Sequence, residues 1–188
     1  WFAGAASCAE AITGFGGMIV QDTYSQFFKV LIAMALLLGA LLSVNSVKRD
    51  EIPGGEFHAL LLLATAGMMI SVSALDLLTL YLGLELTTLC SYVLVGIRVD
   101  SKSSNEAAIK YFLMGSFASA VLLMGISLIY GLTGSTEFTA IATALSGGAA
   151  QGGPVLGLAV GLVAAGLAFK IAAVPFHAWA PDAYEGAA

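Results

Sequence analysis

Five long apolar runs, at residues 27–46, 57–75, 77–97, 107–131 and 154–180, constrain this chain more than anything else in it. Each reaches the roughly 20 residues that a helix needs to cross a bilayer. With 59% hydrophobic and only 10% charged residues among 188, the composition lies far outside soluble norms. The expectation is an all-α polytopic membrane protein, a single membrane domain of five spanning helices over residues 1–188. Trp1 to Cys8 reads as the end of an earlier helix, and without an initiator Met or a signal peptide the chain reads as a fragment of a larger multi-pass protein.

Lys48 and Arg49 follow the first run, and Arg98 and Lys102 follow the third, so by parity all four lie on one side. The opposite side has none in the turn at Asp76 or in the loop 132–153. The positive-inside rule assigns the basic loops to the cytoplasm. Acidic residues contribute little to that rule, so the net charge of −5 carries little weight, and nothing resembles a nucleic-acid-binding patch. Cys8 and Cys90 show no metal-ligand spacing and read as apolar packing residues.

Between the helices, residues 9–26 are expected to form a glycine-containing non-cytoplasmic loop, and Asp50 to Gly55 a turn. Asp76 is expected to cap the third helix. Ser103 and Glu106 match a capping box opening the fourth. Phe138, Ile141, Ala142 and Leu145 recur at i, i+3, i+4, i+7, which predicts an interfacial amphipathic helix near 136–146. In the fifth run Pro154 stands near the first turn. Gly153, Gly157, Gly161 and Ala165 form a small-residue stripe that suits close helix packing.

Against this apolar background the buried charges stand out. Glu85 lies near the middle of the third helix, with Tyr81, Thr88 and Tyr92 on the same face. Lys170 lies deep in the fifth run, about 24 Å along a helix starting at Pro154. Gly166, one turn earlier, is expected to leave room for its side chain. Pro175 cannot donate to the carbonyl of Ile171, so the helix should lose regular hydrogen bonding between Lys170 and Pro175. Ionisable groups at bilayer depth mark ion pathways or pair with one another, and interrupted helices at the midplane are where transporters bind ions. Burial disfavours a charged ammonium and a neighbouring anion favours it, so a shift in their pairing loads or releases a proton. The alternatives are a structural acid at Glu85 and a snorkelling Lys170. Glu85 and Lys170 are therefore expected to point into the bundle within reach of each other. Lys110, one turn into the fourth helix and on a different face from Ser116, Ser119 and Ser127, reads equally as an interfacial anchor or a transport residue. His177 reads as a hydrogen-bonded structural residue or a proton relay. His58 reads as interfacial.

Three stretches carry a specific resemblance: Tyr81 to Gly96 (YLGLELTTLCSYVLVG), Asn105 to Ser119 (NEAAIKYFLMGSFAS) and Gly166 to Gly186 (GLAFKIAAVPFHAWAPDAYEG). Together they resemble subunit N of proton-translocating NADH:quinone oxidoreductase, respiratory complex I, within the antiporter-like membrane subunits. The third motif is shared among those subunits; the first two favour subunit N. The resemblance implies an antiporter-like fold of fourteen helices with two inverted five-helix repeats, of which this chain matches the third to seventh. Glu85 then matches the family's essential glutamate, Lys170 the lysine of the interrupted helix, and Lys110 a further lysine that contributes to transport. Two later relay positions of the family would lie beyond Ala188.

The resemblance further implies that NADH, FMN, iron–sulfur clusters and quinone are bound by partner subunits, with no cofactor or metal in this chain. Its partners would be neighbouring antiporter-like and small membrane subunits and the lipid bilayer, in a bacterial cytoplasmic (inner) membrane. The expected function is proton translocation through buried residues, with Glu85, Lys170, Lys110 and His177 as proton-transfer candidates. Two other readings are a subunit of a multisubunit cation/proton antiporter and a non-conducting membrane scaffold.

Overall fold

Polar caps set where the helices begin. The structure, a computed structural model, describes residues 11–147 and 153–187; Trp1 to Cys8, read above as the end of an earlier helix, lie outside the described residues. Helix α1 runs Thr23–Arg49. It starts earlier than its apolar run because Asp22 accepts from the Ser25 amide at 2.8 Å while the Ser25 hydroxyl accepts from the Asp22 amide at 3.0 Å, a reciprocal cap. The hydrogen bond from the Ser25 amide, with the Ser25 hydroxyl, holds the Asp22 carboxyl below its usual range. Helices α2 (Gly54–Ser73) and α3 (Leu77–Val95) follow.

Helix α4 runs Lys102–Thr133, beginning before the predicted 107. Its cap is Ser101, which accepts from the Ser104 amide, and not Ser103 as the capping-box pattern suggested. Ser104 is fully buried and donates its hydroxyl to the Val95 carbonyl at the end of α3 at 2.7 Å. Glu106 turns to Lys110 instead of back to the cap. At the other end Gly134 (φ 73) takes the left-handed conformation that stops the helix, its N–H donating to the Tyr130 carbonyl. The amphipathic helix α5 is Phe138–Ser146. The fifth apolar run, 154–180, is helical only as α6 (Gly153–Lys170); after the non-helical residues 171–178 a separate short helix, α7 (Trp179–Gly186), continues past its end. Among the described residues five helices, α1 to α4 and α6, are long and apolar enough to cross a membrane.

Within the stretch read as a loop at 9–26, an antiparallel hairpin forms from β1 (Ile12–Gly14) and β2 (Ile19–Gln21). Glycines around the turn disguise two strands too short to register as a pattern. The hairpin is anchored by the Leu75 amide donating to the Met18 carbonyl at 2.9 Å. Asp76 caps α3 as expected, accepting from the amides of Leu78 and Thr79, and it also accepts from the Thr136 hydroxyl. Hairpin, α2–α3 turn and the start of α5 are thereby knitted together at one end. At the opposite end Arg49, Asp50, Arg98 and Asp100 line one groove, and Arg98 donates to the carbonyls of Gly186 and Ala187 that close α7.

Close backbone contacts decide the packing. A Cβ on Gly67 of α2 would fall 2.7 Å from the Gly83 carbonyl oxygen of α3. Helix α6 meets α4 through Ala159, Val163 and Gly166, spaced i, i+4, i+7. The predicted stripe is not that contact, since Cβ atoms added at Gly157 or Gly161 meet nothing within 4 Å. Gly166 does not make space for the lysine either: it lets α6 close on Leu122. Continued by one turn, the same face reaches Lys170. Gly166→Ala puts a Cβ 2.5 Å from the Leu122 Cβ; overpacking of this kind costs about 1–3 kcal/mol. We expect a lower melting temperature for the purified protein, whereas Gly161→Ala should leave it unchanged or higher because alanine favours helix.

Candidate functional site

Two apolar clusters leave a polar level between them. Leu77, Leu122, Ile126, Ile129, Ile141 and Ala159 pack at one side, and Tyr92, Tyr111 and Ala183 at the other. Along α3 the order is Leu77, Glu85, Tyr92; along α4 it is Tyr111, Ser119, Leu122. Glu85 and Ser119 occupy the gap, near the middle of both helices, and the last residue of α6, Lys170, enters it.

The Lys170 ammonium donates to Glu85 Oε1 at 2.8 Å, Thr88 Oγ1 at 3.1 Å and Ser119 Oγ at 3.1 Å. All three of its donors are satisfied. Ser119 in turn donates to Glu85 Oε1 at 2.6 Å, so one hydroxyl bridges acid and base. The side chains are 7% exposed at Lys170 and 18% at Glu85. The pair is withdrawn from the surroundings, while the carboxylate keeps an opening. Glu85 and Lys170 therefore point into the bundle and touch directly.

Lys170 stands where the helix ends. Beyond it Ala172 has φ 51 and the Ala172 amide reaches back to the Phe169 carbonyl in a tight turn. Residues 171–178 stay non-helical until Trp179. The Trp179 indole also donates to the Phe169 carbonyl, at 3.2 Å, and so ties the start of α7 to the end of α6. Regular helical bonding is lost between Lys170 and Pro175, as the proline predicts.

Other candidates are not brought to this pair. Lys110 is half-exposed and pairs with Glu106 at 2.8 Å and Asp182 at 3.0 Å, toward the basic end. His177 is exposed in the non-helical segment. His58 bonds the Gly54 carbonyl at 2.6 Å near the start of α2. Tyr81 packs against the first apolar cluster. Ser119, whose bridging position was not anticipated, sits one turn from Gly115 on the face that also carries the buried Leu122 and Ile126.

A family model described as NADH:quinone oxidoreductase/Mrp antiporter, transmembrane, matches residues 74–188. The chain belongs to that family. Among curated relatives, NADH-quinone oxidoreductase subunit N 2 of Rhizobium meliloti is 49% identical over 178 residues, covering 95% of this chain and 37% of the relative. The chain thus spans little more than a third of the length of that relative. Respiratory complex I from Thermus thermophilus with bound aureothin contains a chain of the same fold, with a TM-score of 0.74 and 38% identity, covering 98% of this family member and 39% of the other chain. A chain of the Mrp complex from Dietzia sp. aligns with a TM-score of 0.69 and 29% identity, covering 90% and 31%. The pair of Glu85 and Lys170 falls within the region that the family model matches.

Proposed function

We propose that this chain is a proton-translocating segment of subunit N of a respiratory NADH:quinone oxidoreductase in a bacterial cytoplasmic membrane. The carrying observation is the direct contact of Glu85 with Lys170 at the interruption between α6 and α7. The higher identity to the subunit N relative and to the complex I chain than to the Mrp chain supports the respiratory reading. In this reading NADH, flavin, iron–sulfur clusters and quinone are held by partner subunits, and neighbouring membrane subunits transmit the driving force.

The chemistry follows from the pair. With Glu85 ionised and adjacent, the charged ammonium is favoured at bilayer depth. When the carboxylate is neutralised or moves away, the buried cation loses that countercharge, which favours loss of its proton. Ser119 and Thr88 hold both partners in register and keep acceptors beside the ammonium. Lys110 and His177 are then the candidates for exchange with water at the basic end and at the break.

The second reading, a multisubunit cation/proton antiporter subunit, draws on the Mrp likeness. Affinity purification of the full-length protein from its native membrane separates the two. We expect co-purification of flavin- and iron–sulfur-containing subunits; a complex free of both would favour the antiporter.

A further inference from the structure

Tyr92 buries a hydroxyl that the Glu85–Lys170 pair does not use. The residue is 6% exposed, and its Oη has no hydrogen-bond partner among the described residues. Buried hydroxyls nearly always have a partner, from protein or from ordered water. The ring itself is firmly held. It meets Tyr111 edge-on with centroids 4.6 Å apart, and Tyr111 stacks flat on Trp179 at 4.4 Å. Trp179 in turn is bonded to the carbonyl of Phe169, next to Lys170. A Cβ on Gly115 would collide with the Tyr92 hydroxyl, so the hydroxyl fills space that only glycine leaves.

Its level in the bundle is distinctive. On α3, Tyr92 is one turn past Thr88, whose Oγ1 accepts from Lys170. On α4, Gly115 lies one turn from Ser119 and five residues from Lys110. Lys110, Glu106 and Asp182 line a polar cavity of about 220 Å³ with Ser103 and Glu185. Along α3 and α4 the hydroxyl therefore lies at a level between the buried pair and this cavity, beside the rings of Tyr111 and Phe112.

We propose that the Tyr92 hydroxyl, with a water bound to it, is the proton connection between the Lys110 cavity and Lys170. The proposal rests on the proton-translocating reading. A hydroxyl passes a proton by accepting one on its lone pair from the cavity side while its own leaves through the bound water to the Lys170 amine, once the ammonium has given up its proton. Tyrosine stays neutral before and after, and no bond to carbon changes. Water-bridged contacts of this kind are nearly as favourable as direct ones.

The test is Tyr92→Phe in the full-length chain within its assembled complex, measured beside Glu85→Gln. Phenylalanine keeps the ring contacts, so assembly should be normal. Pumping should fall roughly tenfold, equivalent to about 1.4 kcal/mol on the barrier. Wild-type pumping by Tyr92→Phe alongside an impaired Glu85→Gln overturns the connection and leaves the pair intact, since a merely structural Tyr92 is replaced by Phe without loss. Full pumping by both overturns the proton-translocating reading itself. A structure of the complete complex that resolves waters gives an independent decision, even if the variant does not assemble. It should contain a water within about 3.2 Å of Tyr92 Oη; a dry hydroxyl or one bonded only to protein contradicts the proposal.

Discussion

Glu85→Gln is expected to assemble normally and to depress quinone reduction coupled to proton uptake by roughly a hundredfold or more, the low end of the roughly 10²–10⁴ that a positioned proton-transfer group contributes. The amide is nearly isosteric, so Ser119 and Lys170 keep a polar partner at the same place. What disappears is the anion. Lys170 then lacks the countercharge that makes its ammonium tolerable at bilayer depth, and the loading step is lost. NADH-driven quinone reductase activity in isolated membranes, normalised to the amount of assembled complex, reads the effect.

The second large effect is at Lys170, and it comes as a series. Lys170→Ala removes the titrating group from the end of α6, where alanine suits the helix. Glu85 keeps the Ser119 hydroxyl as a hydrogen-bond donor, so the fold should persist. Coupled activity should nevertheless drop as far as in Glu85→Gln. Lys170→Arg should restore only a fraction of it. A guanidinium keeps the positive charge beside Glu85, but with a pKa above about 12 it does not readily give up its proton. Lys110→Ala should cost much less, because its pairs with Glu106 and Asp182 are half-exposed and water can replace them. Equal losses at Lys110 and Lys170 would contradict the assignment of the central role to the buried pair.

How much of this was readable beforehand differs between elements, and the differences have physical causes. The five spans were legible because hydrocarbon demands long apolar runs, and the break after Lys170 because proline removes a donor at a stated position. Glu85 and Lys170 were legible as partners because a buried acid and base have few other ways to be satisfied. Helix starts were less so: Ser103 fits a local capping pattern as well as Ser101 does, and only the tertiary bond from Ser104 to Val95 decides between them. The small-residue stripe at Gly157 and Gly161 misled for a related reason. Periodicity reveals a face that can pack closely but not which face does, and α6 packs through Ala159, Val163 and Gly166. Ser119 was hidden because a serine in an apolar helix can satisfy itself on its own backbone; its role appears only when Glu85 and Lys170 close around it.

Proton pumping in sealed membrane vesicles, with Glu85→Gln and Lys170→Ala compared side by side and normalised to assembled complex, bears most directly on the buried pair as a proton relay. Relay through Glu85 and Lys170 requires that both variants assemble and that both lose most of their pumping. Full pumping by both would reduce the pair to a structural ion pair in a non-conducting scaffold.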